Sequence, residues 1–353
     1  MTKQRILFFI LVNLQILNVF SQSIGNISGS NKNESDMKAK QMYNQAVQNL
    51  KVGKYSEALP LLNFVIQLDV NFTSAYLERG KINLQLKQPT EALKDLLKCL
   101  MLNEKNGEAY YEKAIIELQD NQFDQAFIDF NNAINNDFKE SGAYYYRGIL
   151  RMIKEDYAMA TLDFSFSIDK KFDFARAYHE RAGSRYMMKD YKGSIADYEK
   201  AIELQPKFPQ AYNNMGNVKK DLGDFQGAID AYTKAVELNP EYYMAYNNRG
   251  HARYLSGDHK GASEDFNKAL QLHPEYLSAL NNLAVVQVSE KDYTAANDNF
   301  NKLLSLDSEY EAAYVNRGYL KELQGDLDGA CLDWNTAKSK GSEEADLYLK
   351  DCK

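Results

Sequence analysis

The sequence predicts an all-α stack of helix–turn–helix repeats, and three observations carry that reading. One period of 34 residues runs through most of the 353-residue chain, large and small residues recur at helical spacing inside each period, and only six prolines are present. The period is plainest where Ala211-Tyr212-Asn213-Asn214-Met215-Gly216 returns as Ala245-Tyr246-Asn247-Asn248-Arg249-Gly250.

Residues 1–21 are expected to be a signal peptide. Lys3 and Arg5 precede an apolar run from Ile6 to Phe20, and Val19-Phe20-Ser21 suits a peptidase. The run is broken by Asn13, Gln15 and Asn18 and is shorter than the roughly 20 residues that span a bilayer, so a retained anchor is the weaker alternative. Cleavage after Ser21 removes two cations and no acid, taking the formal charge from −7 to −9. The mature protein would be periplasmic, envelope-associated or secreted, with no membrane span left. Residues 22–38, rich in Ser, Asn, Gly and Lys, are expected to be a flexible leader.

Residues 39–344 divide into nine units of 34, beginning at Ala39, Thr73, Gly107, Ser141, Ala175, Pro209, Tyr243, Leu277 and Glu311, without insertion or deletion. In eight of them place four is large, from Tyr76 to Tyr314, and place eight is small, from Gly80 to Gly318. A spacing of four is one face of a helix. A second face has small residues at place twenty (Ala58 to Ala330) and bulky ones at place twenty-four (Leu62 to Trp334). Each unit is therefore a helical hairpin. Asp156, Asp190, Asp224, Asp258, Asp292 and Asp326 stand between the helices, where an N-cap is needed. Pro89 suits a first helical position, and Pro206, Pro240 and Pro274 close second helices. In the first unit Met42 replaces the tyrosine and Pro60 is expected to kink or delay the second helix. Residues 345–353 continue the phase, with Tyr348 at place four, and are expected to form a capping helix.

This large–small–large pattern resembles the tetratricopeptide repeat across all nine units. The resemblance implies a right-handed superhelical solenoid of helix pairs whose first helices line a concave groove. Members that clamp chaperone tails need a lysine at place five, and here that place is never lysine.

Nine copies in one chain allow covariation to be read internally. A cation at place seven accompanies an acid at place twenty-three in Arg79 and Asp95, Lys113 and Asp129, Arg147 and Asp163, Arg181 and Asp197, Arg249 and Asp265, and Arg317 and Asp333. The three units without the cation also lack the acid: Gln45 with Leu61, Met215 with Ala231, Leu283 with Asn299. Chance matching is about 1 in 84, and covarying places usually touch. These residues are expected to form ion pairs bridging the two helices, an architectural role.

Places two, five, six, nine and thirteen lie opposite the packed face of the first helix. Place six reads Asn214, Asn248, Asn282 and Asn316, and place five reads Asn213, Asn247 and Asn281. An amide donates and accepts, so a regular row of them can pair with the backbone of an extended peptide. The row resembles the asparagine ladder in the repeat superhelix of O-linked N-acetylglucosamine transferases; soluble residues on an exposed face are the competing reading. Earlier units instead place Tyr111, Ile115 and Leu118, then Tyr145, Ile149, Met152 and Ile153, on this face. Either a partner or neighbouring first helices would cover them.

The remaining chemistry is bland. With 42 basic against 49 acidic residues, nucleic acid is an unpromising partner. The four histidines (179, 251, 259 and 273) lack metal-ligand spacing, no phosphate loop is present, and no nucleophile has an evident base. No metal, cofactor or enzymatic activity is expected. Cys99 falls at place twenty-seven, where alanines recur, and reads as a buried filler. Cys331 and Cys352 stand as either a bridge clamping the cap or two buried thiols. The functional expectation is a non-enzymatic adaptor or scaffold that takes a protein or peptide partner in its groove. A structural spacer in an envelope assembly and a non-catalytic accessory of a glycosyltransferase are the alternatives.

Overall fold

The structure, a computed structural model, describes residues 32–352; the expected signal peptide and residues 22–31 of the leader lie outside the described residues. The described chain is helical throughout and divides into two compact units between Lys139 and Glu140. The first unit holds three hairpins: α1 (Lys32–Lys51) with α2 (Tyr55–Leu68), α3 (Thr73–Gln85) with α4 (Pro89–Leu102), and α5 (Gly107–Gln119) with α6 (Phe123–Asn135).

The second unit holds six more: α7 (Ser141–Ile153) with α8 (Tyr157–Lys170), α9 (Ala175–Met187) with α10 (Tyr191–Leu204), α11 (Pro209–Asp221) with α12 (Phe225–Leu238), α13 (Tyr243–Leu255) with α14 (His259–Leu272), α15 (Leu277–Ser289) with α16 (Tyr293–Leu306), and α17 (Glu311–Leu323) with α18 (Leu327–Ser339). A short α19 (Ala345–Tyr348) and one 3-10 turn (Leu349–Asp351) complete it.

Two boundaries differ from the sequence expectation. Helix α1 starts at Lys32, so residues 32–38 are helical instead of forming the end of a flexible leader. Once the buried Ala39 and Ala46 hold a helix, each added residue costs little, and Lys38 lays its ammonium 5.4 Å from the Phe64 ring. Pro60 does not delay its helix: α2 begins at Tyr55, the same place as its counterparts, and runs through the proline.

Both units bury the same places. The alanines at place three, from Ala75 to Ala313, and those at place twenty are fully buried, and the bulky residues of place twenty-four fill the space between the two helices of each hairpin. A buried Phe or Leu there contributes about 1.5–3 kcal/mol. Helix approach is close enough that a Cβ on Gly216 would lie 2.6 Å from the Tyr232 ring. Ser194, at the one place-twenty position that is not alanine, is satisfied by donating to Ala182 O at 2.8 Å.

The turn inside each hairpin is built by one device. Place fifteen adopts the left-handed conformation, whether glycine (Gly223, φ 80°; Gly257, φ 88°) or not (Glu155, φ 58°; Lys189, φ 62°). The next residue donates its N–H back to place eleven, as Asp156 does to Arg151 O at 2.9 Å. Its carboxylate then caps the second helix. Asp190, Asp224, Asp258 and Asp326 accept from glycine N–H groups at 2.9–3.0 Å, whereas Asp156 and Asp292 accept from Met159 and Ala295 at 3.3 and 3.2 Å. A Cβ at place nineteen crowds the cap and lengthens its bond.

The C-terminal end is closed covalently. Cys331 and Cys352 form a disulfide with Cα atoms 5.7 Å apart, Ala345 is buried, and Tyr348 stacks on Trp334 with ring centroids 5.1 Å apart.

Candidate partner-binding face

The first helices carry this face, and a charge network behind it fixes their position on the second helices. Arg79 meets Asp95 through two bonds, Nε at 2.8 Å and Nη2 at 2.7 Å. Arg147 with Asp163, Arg181 with Asp197, Arg249 with Asp265, and Arg317 with Asp333 repeat that fork at 2.6–2.9 Å. Lys113 reaches both Asp129 and Glu117. Each of the five aspartates facing an arginine is buried, and paired forks of this kind combine charge with direction.

Two further layers escaped the sequence reading. A second donor at place eleven completes the aspartate: Arg151, Arg185, Arg253 and Lys321 lie 2.7–2.8 Å from Asp163, Asp197, Asp265 and Asp333, and Asn83 reaches Asp95 at 3.3 Å. The free Nη1 of the place-seven arginine crosses to the preceding repeat. Arg79 donates to Asn63 at 2.7 Å, Arg181 to Ser165 at 3.0 Å, Arg249 to Thr233 at 3.2 Å and Arg317 to Asn301 at 2.7 Å. A short polar residue at place twenty-five ahead of an arginine was the signal available for this stitch.

On the face itself the asparagines bond to one another. Asn248 Nδ2 donates to Asn213 Oδ1 at 3.0 Å, Asn282 to Asn247 at 3.1 Å and Asn316 to Asn281 at 3.0 Å, each spanning 35 residues. Asn213 and Asn247 also donate to Asn214 and Asn248 beside them, at 3.1 and 3.4 Å. Asn214 Nδ2 ends the chain on His179 Nε2 at 3.1 Å, and His179 Nδ1 faces Glu180 at 3.1 Å. This corrects the expectation that place five is free: Asn213 and Asn247 are only 5% and 6% exposed. Place six is half-buried, and among the described residues Asn282 and Asn316 keep Oδ1 without a hydrogen bond.

Where place five is aromatic, it packs locally. Tyr111 sits 4.9 Å from Phe138 and 5.9 Å from Phe130; Tyr145 sits 4.8 Å from Phe174 and 6.0 Å from Phe164. Burial pushes the Tyr145 phenol up to about 12. Of the other apolar residues here Ile115, Leu118, Ile149 and Met152 are half-buried, and Ile153 is exposed.

The first unit has a different polar pattern, in which Glu78 and Glu112 occupy place six. Lys81 Nζ lies 2.6 Å from Glu108 and 3.4 Å from Glu78. Burial, then the nearby Glu108 and Glu78, push the Glu112 carboxyl up to about 7 against the pull of Lys81. Elsewhere, Cys99 is fully buried, and burial lifts its thiol to about 11. Among the described residues no group of three His, Cys, Asp or Glu is placed to hold a metal ion, and no helix is long and apolar enough to cross a membrane.

Models of the tetratricopeptide repeat match residues 73–106, 209–242 and 243–276, and a TPR repeat model matches 184–223. Three of these stretches begin where the 34-residue units begin. No curated protein matches the chain in sequence. Among solved structures, a tetratricopeptide repeat protein from Parabacteroides merdae superposes with a TM-score of 0.58 at 16% identity, over 70% of this chain and 98% of its own. The C-terminal part of a TPR repeat-containing protein from Cytophaga hutchinsonii gives 0.55 at 18%, over 68% and 98%. The APC/C hetero-tetramer Cut9–Hcn1 gives 0.56 at 14%, over 89% and 76%. At these identities the likeness concerns fold.

Proposed function

The chain is an array of tetratricopeptide repeats, and on that premise we propose that it is a non-catalytic adaptor or scaffold, exported from the cytoplasm, that holds a protein or peptide partner on its first-helix face. The observation carrying this reading is the amide row. Asn214, Asn248, Asn282 and Asn316 are each oriented by a bond from Nδ2 to the preceding repeat; Asn248 spends its other N–H on Asn217, whereas Asn282 and Asn316 keep a second N–H and Oδ1 for a peptide backbone. Groups held in place before binding lose less freedom on binding. The disulfide at the C-terminal end suits an oxidising compartment and supports export.

The row also ties repeats together, so its removal costs stability as well as contacts. A test therefore needs a control of equal structural cost. Alanine at Asn214, Asn248, Asn282 and Asn316 removes inter-repeat bonds from the face, and alanine at Asn63, Ser165, Thr233 and Asn301 removes four behind it. In crosslinked pull-downs from the native envelope fraction, one dominant partner should vanish with the first variant and persist with the second. Loss with both, or with neither, refutes the groove. The native protein should begin at Gln22; a retained Met1 refutes cleavage.

A further inference from the structure

The first unit contains a partly open cavity of about 390 Å³ on the first-helix face of α1, α3 and α5. Its volume is that of a small-ligand pocket, about 300–1,000 Å³. Val47, Leu50 and Ile82 give it an apolar wall, and Glu78, Lys81 and Glu112 give it a polar one. The polar groups are not equivalent. Lys81 is consumed by Glu108 and Glu78, whereas Glu112 has no hydrogen bond or ion pair among the described residues. A half-buried carboxylate without a partner is costly, and a cation arriving from outside would relieve it.

We propose that this cavity is a subsite for a lysine side chain of the partner polypeptide, with its methylenes along Val47, Leu50 and Ile82 and its ammonium on the Glu112 carboxylate. A long apolar stem ending in a point charge matches an alkyl wall ending in one free acid. An anion is disfavoured by Glu78, Glu108 and Glu112 together, and a purely apolar group would leave the acid buried and unpaired. The charged groups acting on Glu112 are Glu108 on its own helix and Glu78 and Lys81 on α3, and Lys51 of α1 lines the same cavity. Burial pushes the Glu112 carboxyl up to about 7, so the empty site takes up a proton more readily than an exposed glutamate would, and the ligand's charge takes that proton's place. The proposal deepens the groove reading and rests on it only for the source of the lysine.

The test uses the full chain and a blocked tripeptide, glycyl-lysyl-glycine amide, against the same peptide with norleucine, followed by amide chemical shifts. The lysine peptide should shift Val47, Leu50 and Ile82 at pH 8 and bind about tenfold tighter than the norleucine peptide. Glu112→Gln should bring it down to the norleucine level. Lysine affinity should also fall about tenfold from pH 8 to pH 6, as the carboxylate takes up its proton, with no change for norleucine. Equal binding of the two peptides, or indifference of the lysine peptide to pH or to Glu112→Gln, overturns the proposal. The pH profile of the unsubstituted chain decides the matter if the variant folds poorly. Cadaverine binding as tightly as the peptide would overturn the assignment to a polypeptide side chain. None of these outcomes bears on the asparagine row.

Discussion

Replacing Asp265 with alanine takes one anion away from two guanidinium groups. Asp265 accepts from Arg249 Nε at 2.9 Å and Nη2 at 2.6 Å, and from Arg253 Nη1 at 2.8 Å, and the three side chains are 4%, 13% and 24% exposed. Stranding buried partners of a pair costs about 3–5 kcal/mol. The chain itself contains the neutral solution one repeat earlier, where Met215 and Ala231 fill the equivalent positions at 8% and 4% exposure. The double variant Arg249→Met, Asp265→Ala should therefore lie within about 1–2 kcal/mol of the parent, including roughly 1 kcal/mol for the lost bond from Arg249 to Thr233. The coupling energy of the cycle is then about 2–4 kcal/mol, far above the few tenths expected of independent sites. Urea unfolding of the full chain, paired with hydrogen exchange on α13 and α14, measures it; the exchange is needed because repeat arrays need not unfold as one cooperative block. A double variant as unstable as the sum of the singles would refute the reasoning, and so would an Asp265→Ala variant that loses less than about 1 kcal/mol.

Other perturbations have equally direct readouts. Reducing the bond between Cys331 and Cys352, which closes a loop of 21 residues, should cost about 3 kcal/mol confined to the cap, seen as a changed emission from Trp334, the chain's single tryptophan. Glu155→Gly should stabilise the α7–α8 hairpin by about 0.5–1 kcal/mol, because Glu155 holds φ at 58°, while Gly257→Ala should destabilise α13–α14 by a similar amount in the same thermal scan. Glu112 is an acid whose folded value lies above its unfolded one, so the folded state holds its proton longer. Stability should therefore fall as pH rises from about 4.5 to about 7 and level off above, by roughly 3 kcal/mol at most, and Glu112→Gln should remove that slope.

The period alone places the helices, because each hairpin repeats the same apolar spacing and the same turn chemistry. The pairing of places seven and twenty-three is legible for a related reason: in repeats six and eight cation and acid are lost together, and only a shared contact makes that worthwhile. The place-eleven donor stays hidden because Lys219 and Gln287 keep a polar group there when the acid is gone. The asparagine links stay hidden because they join residues 35 apart, one step off the repeat, so aligning the copies puts partners in different columns. The Glu112 site is less legible still. No repeat of a pattern marks it, and a single glutamate on a helix face differs from a solvated one only through the cavity around it.

The stitches fall unevenly along the second unit. Between repeats six and seven, and between eight and nine, side-chain bonds cross on both sides: Asn248 to Asn213 in front with Arg249 to Thr233 behind, then Asn316 to Asn281 with Arg317 to Asn301. Between five and six, and between seven and eight, Met215 and Leu283 replace the arginine and its rear stitch is lost, while Tyr186 to Asp221, Asn214 to His179, Asn282 to Asn247 and Tyr254 to Ser289 bond first helix to first helix. Such a joint is tied by side-chain bonds at the front alone. Bending that opened its rear would leave the amides bonded to one another, so their mutual spacing would outlast a change of curvature.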